Sequence, residues 1–199
     1  MKFIRLQLFI IALVMFAASS AFAALSYDVT INTTSLSGSD GFLYFQYVPI
    51  NAADSTATIS GYTGGSLALA RSSEVDGSGV TGLLPGTVTF ANTNGINDYN
   101  HGITFGNTIN FLLSFSDPVP GGVSGGNSTF SLGLFQDESG ATPLRGGTLF
   151  TASLMNDGTA TTQILASGTS VSAVPIPAAV CLLGTGLIGL VGIRRRTQK

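Results

Sequence analysis

Residues 41–49 read Gly41-Phe-Leu-Tyr-Phe-Gln-Tyr-Val-Pro49 (GFLYFQYVP). Seven of these side chains are aromatic, β-branched or otherwise apolar or long, and the stretch is closed by glycine at one end and proline at the other. A period of two puts Phe42, Tyr44 and Val48 on one face and Leu43, Phe45 and Tyr47 on the other. Nine residues are too few for a core helix, and the aromatic and β-branched content favours a strand. Because both faces are apolar, the expected place is the middle of a sheet, covered twice.

Residues 25–32 (LSYDVTIN) alternate more cleanly, with Leu25, Tyr27, Val29 and Ile31 against Ser26, Asp28, Thr30 and Asn32, and predict a half-buried strand. Further strands are expected over residues 57–62, 66–71, 87–91, 109–116, 128–136, 148–155 and 162–166. Ile109, Phe111, Leu113 and Phe115 share one face, as do Phe130, Leu132 and Leu134. Glycine pairs and Asp-Gly steps separate these runs, and no helical period intervenes. About nine short strands with such turns predict an all-β fold, a single antiparallel β-sandwich of jelly-roll-like winding.

The 199 residues have room for one such domain once the ends are set apart as targeting segments. Residues 24–174 hold only Arg71 and Arg145 as basic groups against all ten acids of the chain, a net charge of −8. That balance repels phosphate backbones and excludes nucleic acid as a partner. The single cysteine, Cys181, lies outside the domain, so neither a disulfide nor a cysteine zinc site is available to it.

At the start, Lys2 and Arg5 precede an apolar run, and Ala21-Phe22-Ala23 offers small residues at both peptidase recognition positions. Residues 1–23 therefore read as a signal peptide cut by signal peptidase before Ala24, with an uncleaved anchor as the alternative. At the other end, residues 176–193 carry no charge and as a helix would reach about 27 Å, enough for a hydrocarbon core. Arg194, Arg195 and Arg196 open a basic tail, residues 194–199, which would stay on the cytoplasmic side of the inner membrane. The domain is then expected over 24–168, followed by a short stalk over 169–175. Gly184, Gly186, Gly189 and Gly192 suit close helix approach in lipid, and a generic anchor accommodates them equally.

The tail as a whole, Val174-Pro175-Ile176-Pro177-Ala178-Ala179, then Leu-Leu-Gly-x-Gly-Leu-x-Gly-Leu and an arginine cluster, resembles the PEP-CTERM sorting signal in its V-P-L-P-A-A variant. Ile176 stands where the name-giving motif has glutamate, and Cys181 where an aromatic or aliphatic residue is more usual. The resemblance spans about the last 26 residues. It implies a bacterial protein exported by its signal peptide, then recognised at Val174, Pro175, Ile176 and Pro177 and processed by an exosortase-like enzyme, in a setting of extracellular polysaccharide. Residues 41–157, with GFLYFQY, ISGYTGG, the Asn97–Asn107 stretch and LMNDG, also resemble an uncharacterised group of PEP-CTERM proteins, for which no activity is implied.

Chemistry within the domain is thin. His101, the only histidine, has no G-x-S-x-G elbow to serve and reads as an exposed loop residue. Asp137-Glu138 and Glu74/Asp76 are neighbours on turns, where a glycosidase needs carboxylates facing each other across a cleft. Asn92, Asn94, Asn97, Asp98 and Asn100 gather oxygens for calcium but bring one charge and lack EF-hand spacing. Tyr62 and Tyr99 lie beside loops and are candidates to stack on a sugar together with Asn97 and Asp98; the alternative places them in the core. No catalytic residue is assigned and no cofactor is required. The expected role is a non-enzymatic structural, adhesive or glycan-binding part of the cell surface or matrix, with a secreted glycan-active hydrolase as the alternative.

Overall fold

The computed structural model describes residues 25–67, 74–76, 79–93, 95–119 and 123–174, with side chains placed throughout except at 74–76. Ala21, Ala23, Ala24, Asn94, Pro175, Ile176, Pro177 and Arg194 to Arg196 lie outside the described residues, as do the signal peptide and the apolar tail. Among the described residues no helix is long and apolar enough to cross a membrane.

Among the described residues, thirteen strands form two antiparallel sheets packed as a sandwich. The strands are β1 (Leu25–Asn32), β2 (Asp40–Ile50), β3 (Thr56–Thr63), β4 (Ser66–Leu67), β5 (Glu74–Asp76), β6 (Val80–Gly82) and β7 (Val88–Ala91). They continue as β8 (Asn97–Thr104), β9 (Thr108–Phe115), β10 (Asn127–Phe135), β11 (Pro143–Met155), β12 (Ala160–Ile164) and β13 (Thr169–Ala173). One sheet runs β13-β1-β9-β3-β7-β6; the other runs β12-β11-β10-β2-β8-β4, with β5 also paired to β8.

The pairs β1–β9, β2–β8 and β3–β7 are nested, so the chain from 25 to 115 is a long hairpin folded over on itself. Alternate rungs of that hairpin fall in alternate sheets, which is the jelly-roll-like winding expected. Strands β10 to β12 then widen one sheet beside β2, and β13 closes onto β1 in the other.

Period-two burial explains why the sheets stick. In β1, Tyr27, Val29 and Ile31 are buried and Asp28, Thr30 and Asn32 exposed. In β9 the buried set is Ile109, Phe111, Leu113 and Phe115. These meet Leu43, Phe45 and Tyr47 of β2, which have no solvent exposure. Aromatic rings join the two layers: Phe45 stands edge-on to Phe111 at 5.8 Å, Tyr47 lies 6.2 Å from Phe115, and Phe90 meets Phe130 at 5.7 Å. A sandwich core of this kind is dry and close-packed, and supplies most of the folding free energy.

Two expectations need correction here. Residues 169–173 are a sheet strand, not part of a stalk: β13 pairs residue by residue with β1 from Thr169↔Ile31 to Ala173↔Tyr27. The Val174 N–H also donates to the Ser26 carbonyl at 2.8 Å, so the sheet holds the chain up to that point. Secondly, β2 is central, but only one of its faces is fully covered. On the outer face Phe42 is buried whereas Tyr44, Gln46 and Val48 are half-exposed.

Candidate functional site

The partly uncovered face of β2 is the floor of a shallow hollow of about 250 Å³. Register decides what meets there. Gln46 of β2 lies opposite Ser131 of β10 and Asp98 of β8, and Tyr44 lies opposite Gly133 and Asn100. The hollow is lined by Tyr44, Gln46, Ser131, Phe135, Ser139 and Thr148, with Gly133 between them. The Tyr44 hydroxyl donates to Asp98 Oδ2 at 3.1 Å, and its ring stands edge-on to Phe135 at 5.6 Å. Two aromatic rings are thus fixed in orientation at one wall.

Gly133 helps to make the space. A Cβ there would lie 2.6 Å from the Phe135 ring, so a side chain at this position forces that ring of the hollow's wall to move. The far wall is the loop between β10 and β11, and its shape is set by Asp137. That carboxylate accepts from the Ala141 N–H at 3.0 Å, the Thr142 N–H at 2.7 Å and the Ser139 hydroxyl. These donors hold the Asp137 carboxyl well below the usual carboxylate range, led by the Ser139 hydroxyl. Asn100 reaches up from β8 to donate to the Glu138 carbonyl, fastening the loop over the sheet. Among the described residues, no side-chain hydrogen bond occupies Gln46, Ser131 or Thr148, whereas the neighbouring Thr129 and Ser153 hydroxyls bond to each other at 2.8 Å.

The residues singled out from sequence end up elsewhere. Tyr62 and Tyr99 belong to the core between the sheets, 6% and 0% exposed, and offer no stacking face. They carry aromatic bulk inward, as β-sandwich tyrosines commonly do. Burial pushes the Tyr62 phenol up, with nearby Tyr99 adding to the effect. Asn97 is also fully buried; its Oδ1 accepts from the Gly79 N–H at 2.9 Å and its Nδ2 donates to the Ala91 carbonyl. Asp98 alone of that set belongs to the outer face, through its bond to Tyr44.

The asparagine cluster does not assemble as a calcium loop. Asn92 is buried and makes four protein hydrogen bonds, Asn97 is occupied as above, and Asn100 ties down Glu138. Among the described residues no group of acids, histidines or cysteines is placed to hold a metal ion. Of the carboxylate pairs, Asp137 is consumed by its own turn, and the side chains of Glu74 and Asp76 lie outside the described set.

His101 is likewise not on a loop. It lies in β8, 2% exposed, with its ring stacked on Tyr99 at 5.7 Å. The Leu84 N–H donates to the Tyr99 oxygen at 3.0 Å, and the Tyr99 hydroxyl shares a hydrogen bond with His101 Nδ1 at 2.9 Å, while His101 Nε2 is buried with no partner among the described residues. Burial holds the His101 pKa below its ordinary 6.5. Above pH 6.5 both folded and unfolded chains hold it neutral; below, the unfolded chain takes up the proton first, so stability falls. Urea midpoints are expected to drop as pH is lowered from 6.5 toward 5 and to stay flat over that range in His101→Gln. Because the chain has one histidine, no other side chain titrates in that window from its ordinary pKa. An unchanged midpoint in the parent protein would refute the buried neutral ring.

No family model, curated protein or solved structure matches the chain.

Proposed function

We propose that this protein is an exported surface domain that binds neutral saccharide, held at the membrane and sorted by a tail resembling a PEP-CTERM signal, with an exosortase-like enzyme and extracellular polysaccharide as its partners. The observation that carries the binding reading is the outer-face hollow around Tyr44. Saccharides present C–H faces that rest on aromatic rings and hydroxyls that exchange hydrogen bonds with amides and hydroxyls. Tyr44 and Phe135 supply the first kind of surface; Gln46, Ser131, Ser139 and Thr148 supply the second. Of the described acids near the hollow, Asp98 is engaged by Tyr44 and Asp137 by the donors of its own turn. Among the described residues of the lining, an anionic ligand finds no basic side chain.

The setting agrees with this. A domain of net charge −8 stays soluble among polysaccharides without clinging to nucleic acid or to other acidic polymers. An array of neutral and acidic oligosaccharides, probed with the protein and with Tyr44→Ala, tests the reading. Neutral glycans are expected to be retained by the parent, and the substitution to weaken retention roughly tenfold, equivalent to about 1.4 kcal/mol. Gln46→Ala, at a half-exposed position away from the core, should weaken it in the same direction without touching stability. Absence of retention, or equal retention by both variants and parent, would remove this hollow as the binding site.

A further inference from the structure

Both ends of the described chain leave the sandwich at the same place. The chain enters β1 at Leu25, opposite Phe115, and leaves β13 at Ala173, opposite Tyr27. The same end carries four of the seven exposed large aliphatic side chains among the described residues, Ile50 (58% exposed), Ile96 (57%), Val119 (57%) and Val123 (63%), while Leu83, Ile164 and Leu165 are exposed elsewhere. Hydrogen bonds tie the loops that carry them to one another and to the strand ends. The Val119 N–H donates to the Asp54 carbonyl at 2.8 Å. Asn156 Nδ2 donates to the Asn51 and Val123 carbonyls at 3.1 and 2.7 Å. Ile96 immediately precedes Asn97, which pairs with Tyr47, and Ile50 closes the same strand as Tyr47.

The chain beyond β13 determines what this end faces. Val174 is fixed to the Ser26 carbonyl, and the uncharged run begins two residues later at Ile176. Two residues reach at most about 7 Å when fully extended. We infer that, while the tail is attached, this apolar-rimmed end of the sandwich lies directly on the lipid surface, with Ile50, Ile96, Val119 and Val123 immersed among the headgroups. The inference rests on reading 176–193 as a membrane span. Had residues 169–175 been a free stalk, any face of the domain would have been free to turn toward the bilayer; with β13 in the sheet, only this one is.

Charge selects the kind of lipid. Among the described side chains, the exposed acids at this end are Asp54, Asp117 and Asp157, and no basic residue accompanies them. Such a rim is repelled by an anionic surface and tolerated by a zwitterionic one. Exposed aliphatics at a zwitterionic interface gain by burial into the headgroup and acyl boundary, a layer about 5–10 Å deep.

The test uses the tailed protein in a Cys181→Ser background, reconstituted into phosphatidylcholine vesicles that carry a nitroxide near the headgroup. One sample is labelled with a fluorophore at Val123→Cys and a second at Ser37→Cys, which is exposed at the opposite end of the sandwich. Quenching at position 123 is expected to exceed that at 37 at least twofold, and to diminish in vesicles enriched in phosphatidylglycerol. Equal quenching at both sites in protein that resists carbonate extraction overturns the docking of this end while leaving the anchor in place. Protein that fails to float with the vesicles overturns the anchor reading and the docking with it. Quenching that grows with phosphatidylglycerol overturns the zwitterionic assignment.

Discussion

Phe130→Ala is expected to lower the folding free energy by about 3–5 kcal/mol, the range for truncating a fully buried phenylalanine in a packed core. Phe130 lies in β10 with no solvent exposure, and three rings surround it: Phe90 at 5.7 Å, Phe45 at 6.1 Å and Phe150 at 6.2 Å. Phe90 belongs to one sheet and the other three rings to its partner, so the substitution opens a cavity at the seam between them. The neighbours are themselves held in strands, which leaves little freedom to collapse into the gap. A domain of this size has only about 5–15 kcal/mol to lose. With no cysteine in the domain there is no disulfide to limit the damage. Urea unfolding of parent and variant measures the loss directly. A loss under about 1 kcal/mol with an unchanged slope would mean that the two sheets do not pack through Phe130.

Asn92→Ala is expected to cost about 3 kcal/mol, although it removes a small polar side chain. The amide is 5% exposed and sits where β7 leaves its sheet. Its Oδ1 accepts from the Ser55 N–H at 2.9 Å. Its Nδ2 donates to the Ala53 carbonyl and the Ser128 hydroxyl, each at 2.7 Å, and lies 3.1 Å from the Ser55 hydroxyl. Alanine leaves the Ser55 N–H and the Ala53 carbonyl buried without those partners, at about 1–3 kcal/mol for each orphaned group. The surface residue Asn110, replaced in the same way, should change stability by no more than about 0.5 kcal/mol. Because the partners of Asn92 are protein groups, its loss should be the same with calcium and with a chelator. A cost that appears only in the presence of calcium would contradict this role and restore the metal-loop reading.

The alternating strands were legible because alternation and burial coincide there. In β1 and β9 every second residue is apolar, and those are the residues buried. Strand β8 was illegible for a physical reason: Asn97 to Thr104 reads NDYNHGIT, a run of turn-forming residues. Its inward positions include Asn97, whose amide finds partners on Gly79 and Ala91, and His101, whose Nδ1 meets the Tyr99 hydroxyl. The burial that makes those polar residues inward-facing comes from the opposing sheet, which no local pattern announces. Strand β13 is hidden differently. Thr169–Ala173 is built of small residues with the one half-buried valine Val171, and it is a strand because β1 offers a free edge.

The hollow illustrates the same limit. Tyr44 and Gln46 are visible in residues 41–49, yet nothing local says that Ser131, Phe135 and Thr148 will stand beside them. That follows from the β2–β10 and β10–β11 registers, the second of which shifts on either side of Gly133. The shift, together with left-handed backbone at Arg145, Gly146 and Gly147, lets β11 bend past the bulge, where Thr148 lines the hollow. Tyr62 and Tyr99 flank loops in sequence, where a sugar platform is expected; the fold turns both inward and presents Tyr44 instead.

The most direct test of the saccharide-binding hollow is isothermal titration of the protein with a neutral oligosaccharide retained on the array, repeated with Gly133→Val. A valine there forces the Phe135 ring of the hollow's wall to move while leaving the core face of β10 untouched. Binding to the parent at one site, with loss of at least tenfold in the variant and an unchanged urea midpoint, is the predicted result. Undiminished binding by a folded Gly133→Val protein would contradict it.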